Sequence, residues 1–393
     1  MIEKLVAFPF HDWHKGRREG FRTRDGHVMQ EIALRDDVGI LVVINRPVSL
    51  AERVVRSRRK AVKSATIASR RSAGRRVTLA AVREGVLTVD VDVPSVIGPL
   101  LNARGWWFDV FADPWVIDGV LWALSEVNAV GAPTIAWLPT VSKTVIATDP
   151  SSLVFDSLDN WLLHPVLRRQ APRARRAYAE LLPRADQVFA SAPRSAEVLS
   201  EWCEGVQILP NGVDSAMFRK RLPRPADVPA GIIVGYAGKL AHRIDTELVC
   251  GVARQLPHVT FVFVGPVLDR RAVQPIQALS NVLFLGDRHY ARLPGYLQHF
   301  DVAWIPHRVG DGESGGDPMK LYEYWAAGRP VVSSRIDGMD QWQGRVALIE
   351  TVEAAVAAIE RLLISPGVQV VPPEREWSAI TDKLVQALAP KAP

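Results

Sequence analysis

The chain has 393 residues, of which 48% are hydrophobic and 23% are charged, and its formal net charge is +6. This composition lies in the ordinary globular range, and the length predicts about two or three domains. The two cysteines, Cys203 and Cys250, are far apart and lack the spacing of a disulfide framework or a zinc site. The cysteine usage therefore favours a reducing cytoplasm.

Membrane segments are not predicted. The N-terminal stretch MIEKLVAFPF contains one lysine and a short apolar run that is broken by Pro9. Such a run is too short for a signal peptide, and no later window approaches about eighteen uninterrupted apolar residues. We therefore expect a cytoplasmic protein with no membrane span and no secretion signal.

Positive charge is concentrated in the first half of the chain. Residues 1–212 contain 28 Lys and Arg against 23 Asp and Glu, whereas residues 213–393 contain 20 against 19. Segment 51–76 has ten basic residues and one acid, and segment 168–176 adds five arginines. Two interpretations stay open: contact with an anionic membrane surface, or a solvated helix face. Nucleic acid is disfavoured, because no aromatic residues interleave the basic segments.

The first half alternates apolar runs with helical patterns, as α/β proteins do. The predicted strands are KLVAFPF (4–10), GILVVINRP (39–47), TIAWLPT (134–140), SLVFDS (152–157) and QVFAS (187–191), and the predicted helices are GHVMQEIALRD (26–36) and PRARRAYAELLPRA (172–185). The connection 11–33 is long for a βα loop and includes His27 at the start of the predicted helix. The predicted strand VFDS leads into VFDSLDNW (154–161), which places two carboxylates, Asp156 and Asp159, at a strand end.

A segment rich in Pro, Asn and Gly, residues 208–231, is predicted to link the first half to a second α/β series. Its predicted strands are GIIVGYAG (231–238), HVTFVFVGP (258–266), NVLFLGD (281–287), DVAWIPH (301–307), RPVVSS (329–334) and RVALIE (345–350), and helical patterns separate them at 245–257, 291–300, 318–328 and 351–365. We therefore predict an α/β fold with two Rossmann-like doubly wound domains. The last amphipathic helix, within 373–388, is expected to dock back onto the first domain.

A nucleotide site is predicted at the start of PMKLYEYWAAG (318–328). Asp317 and Pro318 occupy the places of an N-cap and a first helical residue. The amides of Met319 to Leu321 would then face a diphosphate whose charge Lys320 neutralises, and Glu323 would accept hydrogen bonds from the ribose hydroxyls. The alternative is an i,i+3 salt bridge between Lys320 and Glu323 on a surface helix.

A second phosphate-binding loop is predicted in GYAGKLAHRID (235–245). A strand runs here into a loop that contains Gly238, Lys239 and Arg243. Glycines in such loops often serve only turn geometry. Together with the Lys320 site across the same sheet, however, the loop indicates a phosphate-binding surface.

These segments resemble GT-B glycosyltransferases of the bacterial exopolysaccharide and teichuronic-acid type. The resemblance rests on NGVD (211–214), GYAGK (235–239), FVFVGP (261–266), LPGYL (293–297) and, above all, PMKLYEYWAAGRPVVSS (318–334). It implies that the second domain (213–373) holds a nucleotide-sugar. The first domain (1–212), with the returning helix 374–393, would bind the acceptor, and catalysis would occur in the cleft between them.

The resemblance also implies roles for individual residues. Lys320 resembles the family's diphosphate or ribose contact, Glu323 its ribose acceptor, and Gly238 the glycine that lets the backbone approach the donor. His307 matches a position that lines the nucleobase or phosphate pocket. At Gly315 the chain departs from the family's glutamate, which contacts the transferred sugar, and Glu313 or Asp317 is the available substitute.

The acceptor hydroxyl needs a base, and the resemblance implies one in the first domain. Related enzymes that transfer glucuronic acid with inversion have an aspartate in this region, so Asp159 is the first candidate and Asp156 the second. His27 is a further candidate, as a base or as an acceptor contact. The alternatives are that Asp159 caps a helix over NWLLHPVL and that His27 is a cap or surface residue.

The sequence therefore predicts a glycosyltransferase that moves a sugar from a nucleoside diphosphate donor to a hydroxyl of a glycan or lipid-linked acceptor in surface polysaccharide biosynthesis. No metal and no other cofactor are expected, because side-chain cations and helix amides would stabilise the leaving diphosphate. The Asp90 and Asp92 pair in VDVDVP is interpreted as a strand end. Two alternatives stay open: a nucleotide-sugar epimerase of the same fold, and a non-catalytic protein that binds a nucleotide-sugar or a membrane.

Overall fold

The computed structural model describes residues 1–49, 52, 64–95, 98, 104–163, 167–310 and 316–389. They divide into two compact units. Unit 1 contains Met1–Leu209 together with the chain from Ser378 onward, and unit 2 contains Pro210–Trp377. The sequence-based division lay after residue 212 and again before residue 374.

Unit 1 is built on one sheet. Its described strands are β1 (Ile2–Phe8), β2 (Val38–Ile44), β3 (Val48–Ser49), β4 (Ala65–Ser72), β5 (Arg75–Arg83), β6 (Val86–Val93), β7 (Thr134–Ala136), β8 (Leu153–Ser157), β9 (Gln187–Ala190) and β10 (Gln207–Ile208). Their order is β10-β9-β8-β7-β1-β2-β6-β5-β4, and β3 also pairs with β6. The five predicted strands of this half are confirmed, and they pair in parallel as continuous apolar runs do.

An antiparallel hairpin, which the sequence analysis missed, forms one edge of this sheet. Strands β4 and β5 pair antiparallel, and Ala73 and Gly74 between them have φ of 45° and 75°. Positive φ at both central residues is the geometry of a type I′ hairpin turn. The proposed helix face over 51–76 is therefore wrong from residue 65 onward, whereas residues 53–63 of that segment lie outside the described residues. The charged Arg70 and Arg71 lie on edge strand β4, where charge opposes further strand pairing.

Helices cover this sheet and fill the connection that was predicted to be a long loop. Within the described residues of unit 1 before the linker, the α-helices are α1 (Trp13–Glu19), α2 (Arg24–Ile32), α3 (Gly105–Phe111), α4 (Pro114–Ser125), α5 (Ser142–Ala147), α6 (Ala171–Leu181) and α7 (Pro193–Leu199). Asp12 caps α1 by accepting a hydrogen bond from the Lys15 amide, and Gly20 ends it with φ of 86°. Helix α2 begins at Arg24, two residues earlier than predicted, and His27 lies near its start.

Unit 2 has the strand order of a dinucleotide-binding sheet. Its strands are β11 (Ile233–Ala237), β12 (Thr260–Val264), β13 (Val282–Gly286), β14 (Val302–Ile305), β15 (Val331–Ser334) and β16 (Ala347–Ile349). They are all parallel, in the order β13-β12-β11-β14-β15-β16. All six predicted strands are confirmed, and the order reverses between β11 and β14 as in a doubly wound fold.

Helices lie on both faces of the second sheet. They are α8 (Ser215–Arg219), α9 (Thr246–Gln255), α10 (Arg270–Gln277), α11 (Leu293–Leu297), α12 (Met319–Ala326) and α13 (Val352–Ile364). The residues of α12 pack in one apolar cluster, and those of α9 and α13 pack in another. Helix α12 is therefore fixed by Leu321, Tyr322, Tyr324 and Trp325, all at most 1% exposed.

The chain ends in the predicted amphipathic helix, α14 (Trp377–Leu388). Its apolar side is confirmed, because Trp377, Ile380, Leu384 and Leu388 are buried. On its other side Asp382 pairs with Arg35 of unit 1. Among the helices of the described residues, none combines the length and apolar character that a membrane span requires.

Candidate nucleotide-binding site

The switch point of the second sheet assembles most of the predicted nucleotide-binding residues. Ligands of doubly wound sheets bind at the carboxyl ends of the strands, where the strand order reverses. In unit 2 these are the ends of β11 and β14. Gly238 and Lys239 follow β11 directly, and His307 lies two residues beyond β14. Lys320, in the first turn of α12, reaches the same place.

Gly238 leaves room for Lys320. Its φ is +148°, and a Cβ at this position would lie 3.0 Å from Tyr236 Oη and 3.1 Å from Lys320 Cε. The Gly238 amide donates to the Val264 carbonyl at 2.9 Å, which fixes the turn. Glycine is therefore needed at position 238 because of a contact within the protein: a side chain here would displace Lys320.

Lys320 is a partly buried cation held against an aromatic ring. Its Nζ lies 5.1 Å from the centre of the Tyr236 ring, a cation–π contact. Burial and the charges of Arg243 and Lys239, opposed by Glu323, together lower the pKa of Lys320 to about 7. Within the described part of the chain Lys320 forms no ion pair. An anion at this point would therefore meet a cation that no carboxylate of the described residues contacts at ion-pair distance.

Glu323 is buried one turn further along α12. It is 6% exposed and accepts a hydrogen bond from Tyr290 Oη at 2.7 Å. Burial raises the pKa of Glu323, and the bond from Tyr290 and the charge of Lys320 act against that rise. The alternative of a surface salt bridge between Lys320 and Glu323 is therefore wrong, because the glutamate is buried and bonded to a tyrosine.

Asp317 is not the N-cap of α12. The cap position is Pro318, and Asp317 instead accepts hydrogen bonds from Tyr322 Oη at 2.5 Å and from the Asn211 amide at 2.7 Å. These bonds tie the NGVD segment to the start of the helix. The amide of Leu321 donates to the Pro318 carbonyl at 3.0 Å, so it is already used. Of the predicted amides, those of Met319 and Lys320 are left to face a ligand.

The loop after β11 is tied to the end of β14, which brings Arg243 to the site. The Arg308 amide donates to the Arg243 carbonyl at 2.8 Å, and Ile244 pairs with His307 in an antiparallel bridge. His307 Nε2 lies 3.3 Å from Tyr236 Oη. Burial, followed by the charges of Lys320 and Arg243, holds the pKa of His307 well below its usual value. His307 is therefore a neutral lining residue.

Three tyrosines of the site were missed by the sequence analysis. Tyr236 carries Lys320, Tyr290 bonds to Glu323, and Tyr324 Oη accepts the Ala237 amide at 2.8 Å. All three are buried in unit 2, and the sequence analysis assigned none of them a role in the site. Gly315 and Glu313, which bear on contacts to the donor sugar, lie outside the described residues.

Asp156, a predicted base, is a structural residue of unit 1. It is fully buried and accepts from Arg24 Nε at 2.8 Å, from Arg24 Nη2 at 2.9 Å and from Trp137 Nε1 at 2.8 Å. Three hydrogen bonds, two of which form a bidentate ion pair with Arg24, commit this carboxylate to internal contacts. The structure therefore disfavours Asp156 as the base and gives it a structural role, in which it anchors α2 to strand β8.

Asp159 lies on the turn after β8 and is partly exposed. The side chain that bonds to a turn amide is Asn160, which accepts from the Leu162 amide at 3.0 Å. The described residues 160–163 do not form the helix that Asp159 was suggested to cap. The Arg104 guanidinium attracts the aspartate electrostatically. Its carboxylate makes no hydrogen bond within the described residues.

His27 is buried in α2, and burial lowers its pKa to about 3 although Asp25 opposes this. A base with so low a pKa is weak, so the structure disfavours His27 for that role. The sequence analysis did not consider another imidazole, His11, which follows β1. Asp25, fully buried, accepts the His11 amide at 2.7 Å, and Asp25 Oδ1 lies 3.2 Å from His11 Nδ1.

The charge state of Asp25 follows from this pairing. Burial alone would raise the pKa of Asp25, but the charge of His11 and the hydrogen bonds from His11 and Thr23 outweigh it and lower the pKa. The carboxylate therefore fixes the orientation of the His11 ring. Only the fold shows this pair, because fourteen residues separate its members. Across the described residues, no cluster of His, Cys, Asp or Glu has the arrangement of a metal site.

Comparison with known families finds one match within unit 2. Residues 232–365 match the model of the family described as glycosyl transferases group 1. A curated protein of Bacillus subtilis (strain 168), named as a teichuronic acid biosynthesis glycosyltransferase, TuaH, is 27% identical over 206 residues. That alignment covers 49% of this chain and 52% of TuaH, so it spans about half of each protein.

Solved structures resemble nearly the whole chain at low sequence identity. Sucrose-phosphate synthase from Thermosynechococcus elongatus is 16% identical with a TM-score of 0.66, and the alignment covers 98% of both chains. A trehalose-phosphate synthase from Burkholderia xenovorans, in complex with glucose-6-phosphate, is 12% identical with a TM-score of 0.67 over 98% of this chain and 99% of that one. Anabaena HepE, in complex with UDP, is 14% identical with a TM-score of 0.60 over 99% of this chain and 100% of that one. These likenesses show the fold of the chain.

Proposed function

We propose that this chain, which has the GT-B fold and whose residues 232–365 form a glycosyl transferases group 1 domain, is a glycosyltransferase of surface polysaccharide biosynthesis. It would move a sugar from a nucleoside diphosphate donor to a hydroxyl of a glycan or lipid-linked acceptor. The observation that supports this best is the cluster of Gly238, Lys320 and Glu323 at the switch point of unit 2. The partial match to TuaH favours the polysaccharide context.

Unit 2 (predicted domain 213–373) is proposed as the donor unit. Lys320 and Arg243 would hold the diphosphate, with Lys239 and the amides of Met319 and Lys320 beside it. The buried Glu323 would accept hydrogen bonds from ribose hydroxyls. The UDP complex of the structural relative HepE favours a uridine nucleotide.

These groups also supply the chemistry of the leaving group. When the bond between the sugar and the diphosphate breaks, negative charge develops on the diphosphate. Fixed cations in a partly buried site stabilise that charge more strongly than water does. We infer that no metal is required, and transfer measured in excess EDTA tests this: undiminished turnover supports the inference and loss of turnover refutes it.

Unit 1 (predicted domain 1–212 with 374–393) is proposed as the acceptor unit. Of the predicted bases, Asp159 keeps this role, because it is partly exposed and its carboxylate is not committed to internal hydrogen bonds in the described residues. The alternative base is His11, whose imidazole is oriented by Asp25, and variants of the two residues test which of them is the base. If Asp159→Asn abolishes transfer and His11→Gln does not, Asp159 is the base, and the reverse result assigns the base to His11.

A direct assay separates this function from its rivals. The purified protein is incubated with UDP-, GDP- and dTDP-sugars and a polysaccharide-membrane extract, and donor and products are followed by mass spectrometry. We expect one donor to lose its sugar to the extract, and Lys320→Ala to abolish the reaction. An isomerised donor would instead indicate an epimerase, and a donor that is bound but unchanged would indicate a non-catalytic protein.

Contact with the inner face of a membrane is part of the proposal for a lipid-linked acceptor. Four arginines of segment 168–176 are exposed: Arg168, Arg169, Arg175 and Arg176. Anionic lipid attracts such patches, and salt screens the attraction. Co-sedimentation with phosphatidylglycerol vesicles at low salt, lost at high salt, is the expected result for a cytoplasmic peripheral protein. Failure to bind at low salt refutes the membrane contact but not the transferase.

A further inference from the structure

Arg104 of unit 1 lies in a group of aromatic rings. Its guanidinium carbon is 4.8 Å from the centre of the Phe10 ring and 4.4 Å from that of Trp107. Phe10 and Trp107 pack edge to face, 5.3 Å apart, and each lies 6.4 Å from Trp161. Phe10 follows β1 and Trp161 follows β8, so the group lies at the carboxyl edge of the first sheet.

Two neighbouring arginines are neutralised by carboxylates. Arg46, which also contacts the Trp107 ring at 4.9 Å, pairs with Glu52 at 2.7 Å. Arg173 lies 5.0 Å from the Phe108 ring, pairs with Asp109 and donates to the Gly105 carbonyl at 2.8 Å.

Arg104 differs from both of them. Its Nη1 is buried and has no hydrogen-bond partner within the described residues. Asp159 attracts it without a hydrogen bond, and Arg46 repels it. A buried charged donor without an acceptor destabilises a protein unless another molecule supplies the acceptor.

The turn after β8 adds further donors at the same edge. Trp161 Nε1 and Asn160 Nδ2 are also buried without an acceptor in the described part of the chain. Trp161 is fully buried and Asn160 is 1% exposed. Three buried donors at this edge thus lack an acceptor within the described residues, and a bound oxyanion would supply acceptors for them.

We propose that Arg104, stacked on Phe10 and Trp107, binds an oxyanion carried by the sugar acceptor, so that the acceptor is an anionic glycan. This proposal extends the proposed function and rests on it, because the bound anion belongs to an acceptor only if the chain transfers a sugar. A planar guanidinium binds a carboxylate or a phosphate through two parallel hydrogen bonds, and aromatic faces suit the apolar side of a sugar ring. Asp159 lies within the electrostatic reach of Arg104, so the bound anion would place the acceptor next to the proposed base.

The oxyanion has two sources, a uronate carboxylate or a phosphate ester. The test compares glucose, glucuronate, glucose 6-phosphate and inorganic phosphate as probes, with binding measured by tryptophan fluorescence and by calorimetry on the full chain. We expect at least one anionic sugar to bind about tenfold or more tightly than glucose and than inorganic phosphate. A preference for glucuronate identifies the carboxylate, and a preference for glucose 6-phosphate identifies the phosphate.

The variant Arg104→Gln should remove this preference, and Arg104→Lys should restore only part of it, because lysine lacks the planar fork. The matched control is Arg173→Gln, which removes a ring-stacked arginine whose charge is already paired. Thermal denaturation of each variant verifies folding. If Arg104→Gln does not fold, the test uses Arg104→Lys and the salt dependence of anionic-sugar binding by the native protein.

Three outcomes overturn the proposal: equal affinity for glucose and the anionic sugars, binding that Arg104→Gln leaves unchanged, and no measurable binding of any probe. UDP binding is measured on the same samples. Loss of anion preference in Arg104→Gln with UDP binding retained supports the subsite. Failure of native protein to bind any nucleotide would refute the donor site instead, so the two failures are distinguishable.

Discussion

The ammonium of Lys320 lies over the ring of Tyr236, 5.1 Å from its centre, at the turn where β11 ends. The two residues are far apart in sequence. They are in contact because the strand order reverses between β11 and β14. The ring stabilises the cation without neutralising it. The positive charge therefore stays available to a ligand.

The first prediction concerns this charge. Lys320→Ala should weaken the binding of a nucleoside diphosphate by about 1.5 to 3 kcal/mol, because a charge-assisted bond is lost. The measurement is calorimetric titration with UDP and GDP. Lys220→Ala, which removes an exposed lysine of the same unit, is the control and should leave affinity unchanged. Equal affinity of the Lys320 variant and the native protein would contradict the donor site.

The second prediction concerns pH. The Lys320 pKa of about 7 is below the ordinary value, so the free protein loses this proton as pH rises through 7. A bound diphosphate favours the charged form, so binding above pH 7 must take up a proton. Affinity should therefore fall as pH rises from about 7.5 to about 9, by up to tenfold per pH unit. Lys320→Ala should flatten this profile, and a slope that persists in the variant would assign the proton to another group.

Much of unit 2 follows from its sequence, whereas the edge of unit 1 does not. Parallel strands are buried on both faces, so each is a continuous apolar run such as FVFV, and all six were recognised. Strand β4 is exposed along nearly its whole length and contains only two large apolar or β-branched positions, so it lacks the apolar alternation on which a strand prediction depends. The turn at Ala73 and Gly74 was the remaining signal.

The sequence predicted the charged residues of the nucleotide-binding site but not the tyrosine hydroxyl groups that form hydrogen bonds there. Lys320 and Glu323 are separated by one helical turn, so their proximity to one another is a local property. The hydrogen bond of Asp317 to Tyr322 and that of Glu323 to Tyr290 are decided by packing. Asp317 was predicted to be a helix cap because the local sequence does not show that Tyr322 donates a hydrogen bond to it. Asp156 was predicted to be a base because its partner Arg24 is 132 residues away in sequence.

The third prediction concerns the conformation of Gly238. Gly238→Ala places a methyl group about 3 Å from Lys320 and Tyr236 at a φ of +148°, and should lower the free energy of unfolding by about 1 to 3 kcal/mol. It should also weaken UDP binding. Gly231→Ala is the control, because Gly231 has a φ of +90° but no atom within 4 Å of the added methyl group. Chemical denaturation and UDP titration check both variants, and normal UDP affinity in Gly238→Ala would contradict the role of this turn.

The fourth prediction separates structure from catalysis at Asp156. Asp156→Asn removes the carboxylate charge that pairs with the buried Arg24 and should lower the free energy of unfolding by about 3 to 5 kcal/mol. The control is Asp37→Asn, which breaks a bidentate pair with Arg35 that is exposed and should cost less than about 1 kcal/mol. Urea denaturation measures both. A stable Asp156 variant that has lost sugar transfer would instead restore Asp156 as a catalytic candidate.

The fifth prediction distinguishes the two halves of the nucleotide. Glu323→Gln removes the charge that would accept the ribose hydroxyls, but it keeps the shape of the side chain and an oxygen that can accept from Tyr290. It should weaken UDP by about 1 to 3 kcal/mol while leaving inorganic diphosphate nearly unchanged, since only UDP has a ribose. Lys320→Ala should weaken both ligands, because both present phosphate oxygens. Competition titrations with UDP and diphosphate on the two variants give four affinities. Equal weakening of both ligands by Glu323→Gln would show that the glutamate acts through Lys320 rather than on the ribose.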